Sequence, residues 1–220
     1  MQFHGVPPRS PMYDVDCRRC ERLANFLDQV KQDNPEYFCR PVPPFGDAQA
    51  RLVIVGLAPG MHGANRTGRP FTGDFAGILL YRSLYECGFA SAPESVSRDD
   101  PLQLIDCRIT NAVKCLPPQN KPLPIEIRNC NDYLRVDLAS LPEGGAILTL
   151  GRIGFDATLI ALGLKPAAYK FAHAARIELP TGHALFASYH CSRYNTQTNR
   201  LTEAMFKAVL ADIRAFLDQP

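Results

Sequence analysis

Four short apolar runs alternate along the chain with segments of helical periodicity, and this alternation constrains the fold more than any other feature. The runs are rich in Val, Ile, Leu and Ala and occupy residues 51–57, 107–113, 146–151 and 183–190. Runs of this kind are typical of strands buried on both faces, and strands that alternate with helices form parallel sheets. The sequence therefore predicts an α/β fold, a three-layer α/β/α sandwich around a central, mostly parallel four-stranded sheet.

Length and composition predict a single domain over residues 1–220. Hydrophobic residues make up 46% of the chain and charged residues 21%, as in ordinary globular proteins. The net charge of only +2 excludes a general attraction to polyanions, so any nucleic-acid binding must come from a local basic patch. The sequence has no run as long as a membrane span and no signal-peptide pattern, and we expect a cytoplasmic monomer without a membrane partner.

Three unusual loops follow the apolar runs, at 56–74, 111–121 and 190–200. In open parallel sheets the ligand binds beyond the carboxyl ends of the strands, so these loops predict the site. The first loop contains five glycines, yet it matches neither the Walker pattern nor the dinucleotide-binding spacing. Its backbone N–H groups, with Arg66 and Arg69, suit the phosphates of a nucleic-acid strand. A tight turn from strand to helix is the alternative explanation of the glycines.

The cysteines give a second signal. Cys17 and Cys20 form a C-x2-C pair, and Cys115 and Cys130 form a C-x14-C pair. Four thiolates hold either a 4Fe-4S cluster or one tetrahedral Zn ion. Unrelated buried or surface thiols are the structural alternative, because a single C-x2-C pair is only moderately specific.

Two polar residues stand at the ends of predicted strands. His190 is the last residue of the fourth run, and Asn111 lies near the end of the second run, in the segment TNAV. An amide at this edge presents a donor and an acceptor together, which suits the edge of a nucleic-acid base. Either residue is equally explained as a hydrogen-bonded structural side chain.

The three loops together resemble the uracil-DNA glycosylase superfamily, and within it the iron-sulfur members of the B type, also called family 5. The segments that carry the resemblance are GLAPGMHGANRTGRPFTGDFAG from residue 56, TNAVKCLPPQNKPLPIEIRNC from residue 110 and HCSRYNTQTNRLT from residue 190. The resemblance covers residues 17 to about 210. It implies a monofunctional DNA glycosylase of base-excision repair, which flips out uracil and other deaminated bases such as hypoxanthine and xanthine and leaves an abasic site.

Carried over by position, the resemblance also implies roles for individual residues. A 4Fe-4S cluster of structural role would be ligated by Cys17, Cys20, Cys115 and Cys130. Phe71 would stack on the extruded base, Asn111 would contact it, and His190 would face its carbonyl. Further base contacts are expected from Gly56, Ala58 and His62, and contacts with the DNA strand from Arg66, Arg69, Arg193 and Arg200. His62 is also explained as a cap of its own turn.

The attacking water poses a separate question. Many members of the superfamily activate water with a polar residue in the first motif, whereas Leu57 and Ala58 occupy that region here. The nearest carboxylate is Asp74, which either orients the water or caps the helix that follows it. The missing polar group also fits a roomier and less selective base pocket.

Two residues depart from the family pattern. Cys191 stands where the second motif usually has proline, and Asn199 stands where glycine is expected. Asparagine tolerates positive φ better than most residues, so Asn199 is compatible with the same backbone turn. A non-catalytic iron-sulfur protein that binds nucleic acid or senses redox state is the alternative to the enzyme, although such a protein would not need Phe71 and His190.

Overall fold

The computed structural model describes residues 13–219, which form one six-stranded sheet covered by helices on both faces. The strands are β1 (Phe45–Gly46), β2 (Leu52–Gly56), β3 (Cys107–Asn111), β4 (Ala146–Leu150), β5 (Ala175–Glu178) and β6 (Ala184–Ser188). The helices are α1 (Glu21–Asp33), α2 (Ala64–Thr67), α3 (Phe75–Glu86), α4 (Pro124–Ala139), α5 (Arg152–Ala161), α6 (Arg193–Gln197) and α7 (Glu203–Leu217). Within residues 13–219 no helix has the length and apolar character needed to cross a membrane.

The strand order across the sheet is β1-β3-β2-β4-β6-β5. The middle four strands are parallel and are the four predicted from the apolar runs, which confirms the α/β assignment. Two further strands, β1 and β5, pair antiparallel at the edges, so the sheet has six strands rather than the predicted four. Both lack a sequence signal, because β1 has only two residues among prolines and β5 alternates half-buried with exposed residues.

The two faces of the sheet are covered by different helix pairs. Leu52 and Ile54 point into the core beneath α3 and α7, whereas Val53 and Val55 point into the core beneath α4 and α5. All residues of β2 are buried, and burial of each such large apolar side chain contributes about 1.5 to 3 kcal/mol relative to exposure. This double burial produces the predicted three layers.

Helix α1 lies outside these layers and covers the loop that follows β3. Its buried residue Leu23 packs with Val113 and Tyr133, and Leu27 packs with Leu116. The N-terminal part of the described chain is thereby held against the segment that carries Cys115.

Candidate active site

A cleft of about 440 Å³ opens at the carboxyl ends of the parallel strands. Its wall includes Ala58 after β2, Asn111 at the end of β3, Gly151 after β4 and His190 after β6. The structure therefore brings the three predicted loops together around one cavity, and its volume is that of a typical small-molecule site.

Gly56 explains why the first loop begins with glycine. It ends β2 opposite Asn111 in the neighbouring strand. A Cβ atom at this position would overlap the Asn111 side chain and would lie 2.7 Å from Cζ of Phe71. Any side chain at position 56 would thus displace the amide and the aromatic ring that form the floor of the cleft.

Phe71 contributes a buried aromatic ring from a strained backbone. Its φ is +55°, a conformation that bulky residues rarely adopt. Gly77 leaves room for the Phe71 carbonyl, and the Tyr81 hydroxyl donates a 2.7 Å hydrogen bond to the carbonyl of Pro70. Strain of this kind persists where the surroundings fix it, and it occurs often at functional sites.

His190 presents a neutral imidazole to the cleft. The side chain is half-buried, and burial lowers the pKa of His190 to about 4. At neutral pH the ring therefore carries one N–H donor and one acceptor nitrogen rather than a positive charge. Asn195 Nδ2 donates a 2.8 Å hydrogen bond to the His190 carbonyl, which ties the residue to α6.

Asn111 offers an unpaired amide. The residue is only 3% exposed, and within residues 13–219 no hydrogen-bond partner reaches its Oδ1 atom. A buried polar atom without a partner costs about 1 to 3 kcal/mol, and a ligand that donates a hydrogen bond to this oxygen would offset that cost.

Asp74 caps α3 and also lines the cleft. Its Oδ1 accepts a 2.8 Å hydrogen bond from the Gly77 N–H, while Oδ2 faces Gly60, where a Cβ atom would lie 3.5 Å away. Burial raises the pKa of the Asp74 carboxyl, and N–H groups of Gly77 and Ala76 oppose part of this shift. One oxygen thus serves the helix and the other is directed toward the cavity, so capping and water orientation are geometrically compatible.

The four cysteines of the two predicted pairs line one small apolar pocket. Cys17, Cys20, Cys115 and Cys130 all contribute to it and all are free thiols. The pKa of the Cys115 thiol is raised by burial and further by the proximity of the other three. The backbone N–H of Lys114 donates to Cys130 Sγ at 3.2 Å. Ionised together, four neighbouring thiolates would repel one another, and a bound cationic centre would stabilise them in that form.

Comparison with known protein families identifies the family of this chain. The family model described as the uracil DNA glycosylase superfamily matches residues 43–214. The chain belongs to the uracil DNA glycosylase superfamily. As a member it is a DNA glycosylase, a hydrolase of N-glycosyl bonds, and the resemblance inferred from the motifs is confirmed.

Individual relatives of this glycosylase agree. The type-5 uracil-DNA glycosylase of Thermus thermophilus is 48% identical over 204 residues, which cover 90% of this chain and 92% of the relative. That of Pyrobaculum aerophilum is 42% identical over 200 residues, covering 89% and 87%. The type-4 uracil-DNA glycosylase of Archaeoglobus fulgidus is 34% identical over 139 residues, covering 63% and 56%. These two type-5 relatives thus match this chain at higher identity and over more of its length than this type-4 relative does.

Three of the four predicted DNA-contacting arginines of this glycosylase are exposed near the cleft. Arg66 donates from Nε to the His62 carbonyl at 2.7 Å, Arg193 lies 4.9 Å over the Phe75 ring, and Arg200 lies 4.7 Å over Tyr189. In the described part of the chain none of the three pairs with a carboxylate. Their charges are therefore available to phosphate.

Arg69 is placed differently from the prediction. Its side chain is only 6% exposed and forms an ion pair with Asp100. It also donates to Ser95 Oγ at 2.6 Å and to Thr72 Oγ1 at 3.0 Å. The side chain thus fastens the glycine-rich loop to the 95–100 segment from inside, and this placement favours a structural role for Arg69 over the predicted contact with the DNA strand.

Neither His62 nor Gly56 is among the residues that line the cleft. The Nδ1 atom of His62 and the Tyr37 hydroxyl are 2.8 Å apart, and the imidazole is exposed. Its bond to Tyr37 favours the structural explanation over a base contact. Gly56 leaves room for the side chains of Asn111 and Phe71, which approach its Cα atom closely.

Sequence reasoning missed two residues at the cleft. Asn120 lines it with φ of +56°, a conformation that asparagine tolerates, and it follows the Pro-Pro-Gln run in the loop after β3. Tyr194 on α6 is 70% exposed beside the cleft residue Arg193. An exposed aromatic beside an unpaired arginine is the signal that would have indicated Tyr194.

Proposed function

We propose that this glycosylase removes uracil, and other deaminated bases such as hypoxanthine and xanthine, from DNA by hydrolysis and leaves an abasic site. The observation that carries the proposal is the convergence of an aromatic ring, an unpaired amide and a neutral imidazole in one cleft, from Phe71, Asn111 and His190. The type-5 relatives are named uracil-DNA glycosylases, which supports uracil as a substrate of this chain.

The first step is capture of a flipped base. Extrusion from the duplex costs a few kcal/mol of unstacking. Stacking on the Phe71 ring returns about 1 to 3 kcal/mol of that cost, because base–aromatic stacking has this magnitude. The free amide of Asn111 then donates to a carbonyl of the base edge and accepts from the adjacent ring N–H, which satisfies its buried Oδ1.

The second step is cleavage of the bond between the base nitrogen and C1′. The electron pair of this bond leaves with the base, so negative charge develops on the base oxygens and positive charge on the sugar. A hydrogen bond from the neutral His190 ring to a base oxygen strengthens as that charge develops. Donors of this type lower the barrier by about 3 to 4 kcal/mol each.

The third step is addition of water to C1′. Leu57 and Ala58 supply no polar side chain, and the free Oδ2 of Asp74 is the carboxylate oxygen directed toward the cavity. We assign to Asp74 the orientation of the attacking water, whose proton then passes to the carboxylate or to solvent. The apolar side chains at positions 57 and 58 also form no hydrogen bond that would select one base, which supports acceptance of bases other than uracil.

DNA reaches the cleft across an exposed basic rim formed by Arg66, Arg193 and Arg200. Tyr194 projects beside this rim, and its exposed ring is suited to fill the gap that the flipped nucleotide leaves in the base stack. The cleft is complete within one chain, and we propose that the protein acts as a monomer.

The four clustered thiols fit a 4Fe-4S cluster. The four thiols share one small apolar pocket, and four thiolates are the ligand set of a 4Fe-4S cluster. When bound, it supplies a structural anchor between Cys17 and Cys20 on one side and Cys115 and Cys130 on the other. Iron and acid-labile sulfide in equal amounts, lost in Cys130→Ser, would support this; bound zinc would oppose it.

Strand cleavage by alkali tests the glycosylase proposal directly. DNA duplexes that carry uracil, hypoxanthine or xanthine are incubated with the wild type, His190→Ala and Phe71→Ala. We expect abasic sites from the wild type on uracil first, and strongly reduced product from both variants. A folded, iron-loaded wild type without product on any of the three bases would refute the proposal. Product from uracil alone would restrict it to that base.

A further inference from the structure

Lys114 is a buried cation that lines the cysteine pocket, and its ammonium group makes no hydrogen bond to the cysteines and has no role in the cleft chemistry proposed above. It lies between Asn111 and Cys115 along the chain, and its side chain is 2% exposed. Lysine is among the residues least often fully buried. Its position behind the base-binding strand end therefore calls for a physical reason.

The ammonium of Lys114 makes three hydrogen bonds. Nζ donates to Asp137 Oδ2 at 2.6 Å, to Thr110 Oγ1, and to the main-chain oxygen of Asn111 at 3.1 Å. An ammonium has three N–H groups, so this one is fully satisfied. The Thr110 hydroxyl itself donates to Asp137 Oδ2 at 2.7 Å, which closes the network.

This network fixes the main chain of Asn111 rather than its amide. Within the described residues, the Asn111 side chain makes no hydrogen bond, and it is held by packing against Gly56 and Phe71. The direction of a side chain without polar partners follows from the position of its own backbone. The bond from Lys114 Nζ to the Asn111 carbonyl is thus the polar contact nearest to the amide that meets the base.

Stability alone does not explain a buried ion pair at this place. Replacement of such pairs by apolar residues of similar size is often neutral or stabilising. Asp137 has a second cationic neighbour, Arg108, at 3.6 Å, so removal of the lysine alone would leave the carboxylate with only this distant partner. The pair therefore points to a positional role at the end of β3.

We propose that Lys114 is a positioning residue that aims the Asn111 amide at the extruded base. The proposal rests on the proposed glycosylase function of the cleft. The backbone N–H of the same residue bonds Cys130 Sγ, so Lys114 also joins the base-contacting strand end to the cysteine pocket. A side-chain substitution retains that N–H bond, and the two connections can therefore be separated.

The test measures the effect of one double substitution in two proteins, one that retains Asn111 and one that carries Asn111→Ala. Lys114→Met with Asp137→Leu replaces the ion pair by apolar side chains and avoids an unpaired buried carboxylate, while Arg108 keeps contact with solvent at 17% exposure. The single-turnover rate of uracil excision is measured with Asn111 present and with Asn111→Ala. We expect a loss of roughly 10- to 100-fold in the first background, typical of misplacement near a reacting group, and almost none in the second.

Several controls separate a positioning effect from damage. The cluster absorbance and the thermal midpoint should match the wild type, because the substitutions keep the Lys114 N–H bond to Cys130 and replace the ion pair by apolar side chains. Affinity for DNA with an abasic site should change by less than about twofold, because the Lys114 side chain is buried away from the exposed basic rim. An equal rate loss in both backgrounds, or no loss with Asn111 present, would overturn the proposal.

A crystal structure of the Met/Leu variant gives a readout that does not depend on activity. We expect the Asn111 amide to move relative to Gly56 and Phe71, and an unmoved amide would overturn the positioning role. If the wild type itself excises no base, the glycosylase proposal fails, and this crystallographic comparison still decides whether Lys114 sets the direction of Asn111.

Discussion

The rings of Phe71 and His190 lie 6.0 Å apart between centroids, and their planes are inclined by 31°. This spacing places an aromatic ring and a neutral imidazole side by side in the wall of the cleft. A base that stacks on Phe71 would therefore reach His190 with the oxygen at its edge. In the proposed function, Phe71 holds the base and His190 acts on the charge that leaves with it.

Replacement of Phe71 tests the stacking role. We expect Phe71→Ala to lower the excision rate constant at subsaturating enzyme by roughly 5- to 150-fold, which corresponds to about 1 to 3 kcal/mol of lost stacking. Phe71→Leu is the matched control, because it keeps most of the buried apolar volume and removes the π face. A leucine variant as active as the wild type would mean that Phe71 acts only through packing.

Removal of the His190 imidazole tests stabilisation of the leaving base. His190→Ala is expected to lower the single-turnover excision rate by roughly 10²- to 10³-fold, as for loss of one oxyanion donor. Affinity for DNA that contains an abasic site should stay close to that of the wild type, because the leaving base is absent from that ligand. Equal losses of rate and of abasic-site affinity would assign His190 to DNA binding instead.

The lowered pKa of His190 predicts a flat pH profile near neutrality. With a pKa of about 4 the ring stays neutral from about pH 6 to pH 8, whereas a histidine at the ordinary value of about 6.5 would gain most of a positive charge as the pH falls across this range. The single-turnover rate should therefore not titrate there. A step near pH 6.5 that disappears in His190→Ala would contradict the neutral imidazole.

Asp74 is tested by a variant that separates its two roles. Asparagine caps helices about as well as aspartate, so Asp74→Asn should leave the thermal midpoint nearly unchanged. We expect its excision rate to fall, because the free Oδ2 is replaced by a neutral group. Because the pKa of Asp74 is raised, the wild-type rate should begin to fall on acidification at a pH above the usual carboxyl range. This loss of rate at acid pH should be absent in Asp74→Asn. Wild-type rates in Asp74→Asn would leave capping as the sole role.

Substitution of Arg66 and of Arg69 by alanine should affect different properties of the protein, DNA binding in the first case and stability in the second. Arg66→Ala removes an exposed charge and should weaken DNA binding and reduce the slope of log affinity against log salt by about one. Arg69→Ala leaves Asp100 without its buried partner and should lower the free energy of unfolding by about 3 to 5 kcal/mol. Salt titrations and denaturant unfolding measure the two effects. The reverse pattern would restore Arg69 to the DNA interface.

Much of the fold followed from local sequence properties. Strands buried on both faces require continuous apolar runs, so β2, β3, β4 and β6 were predictable, and the carboxyl ends of parallel strands meet at one edge. Strands β1 and β5 were not predictable, because an edge strand does not require a continuous apolar run. The residues of the site, Phe71, Asn111 and His190, were indicated by loop motifs, whereas the exposed Tyr194 was not.

Sequence patterns sufficed to predict the three layers of the fold, the end of the sheet that holds the cleft, and the family. The inward turn of Arg69 to Asp100 and the pairing of Lys114 with Asp137 behind Asn111 became visible in the folded chain alone. The physical reason is the range of the interactions. Hydrophobic periodicity is set by neighbours along the chain, but a charged side chain is exposed or buried according to whether a distant carboxylate lies within reach.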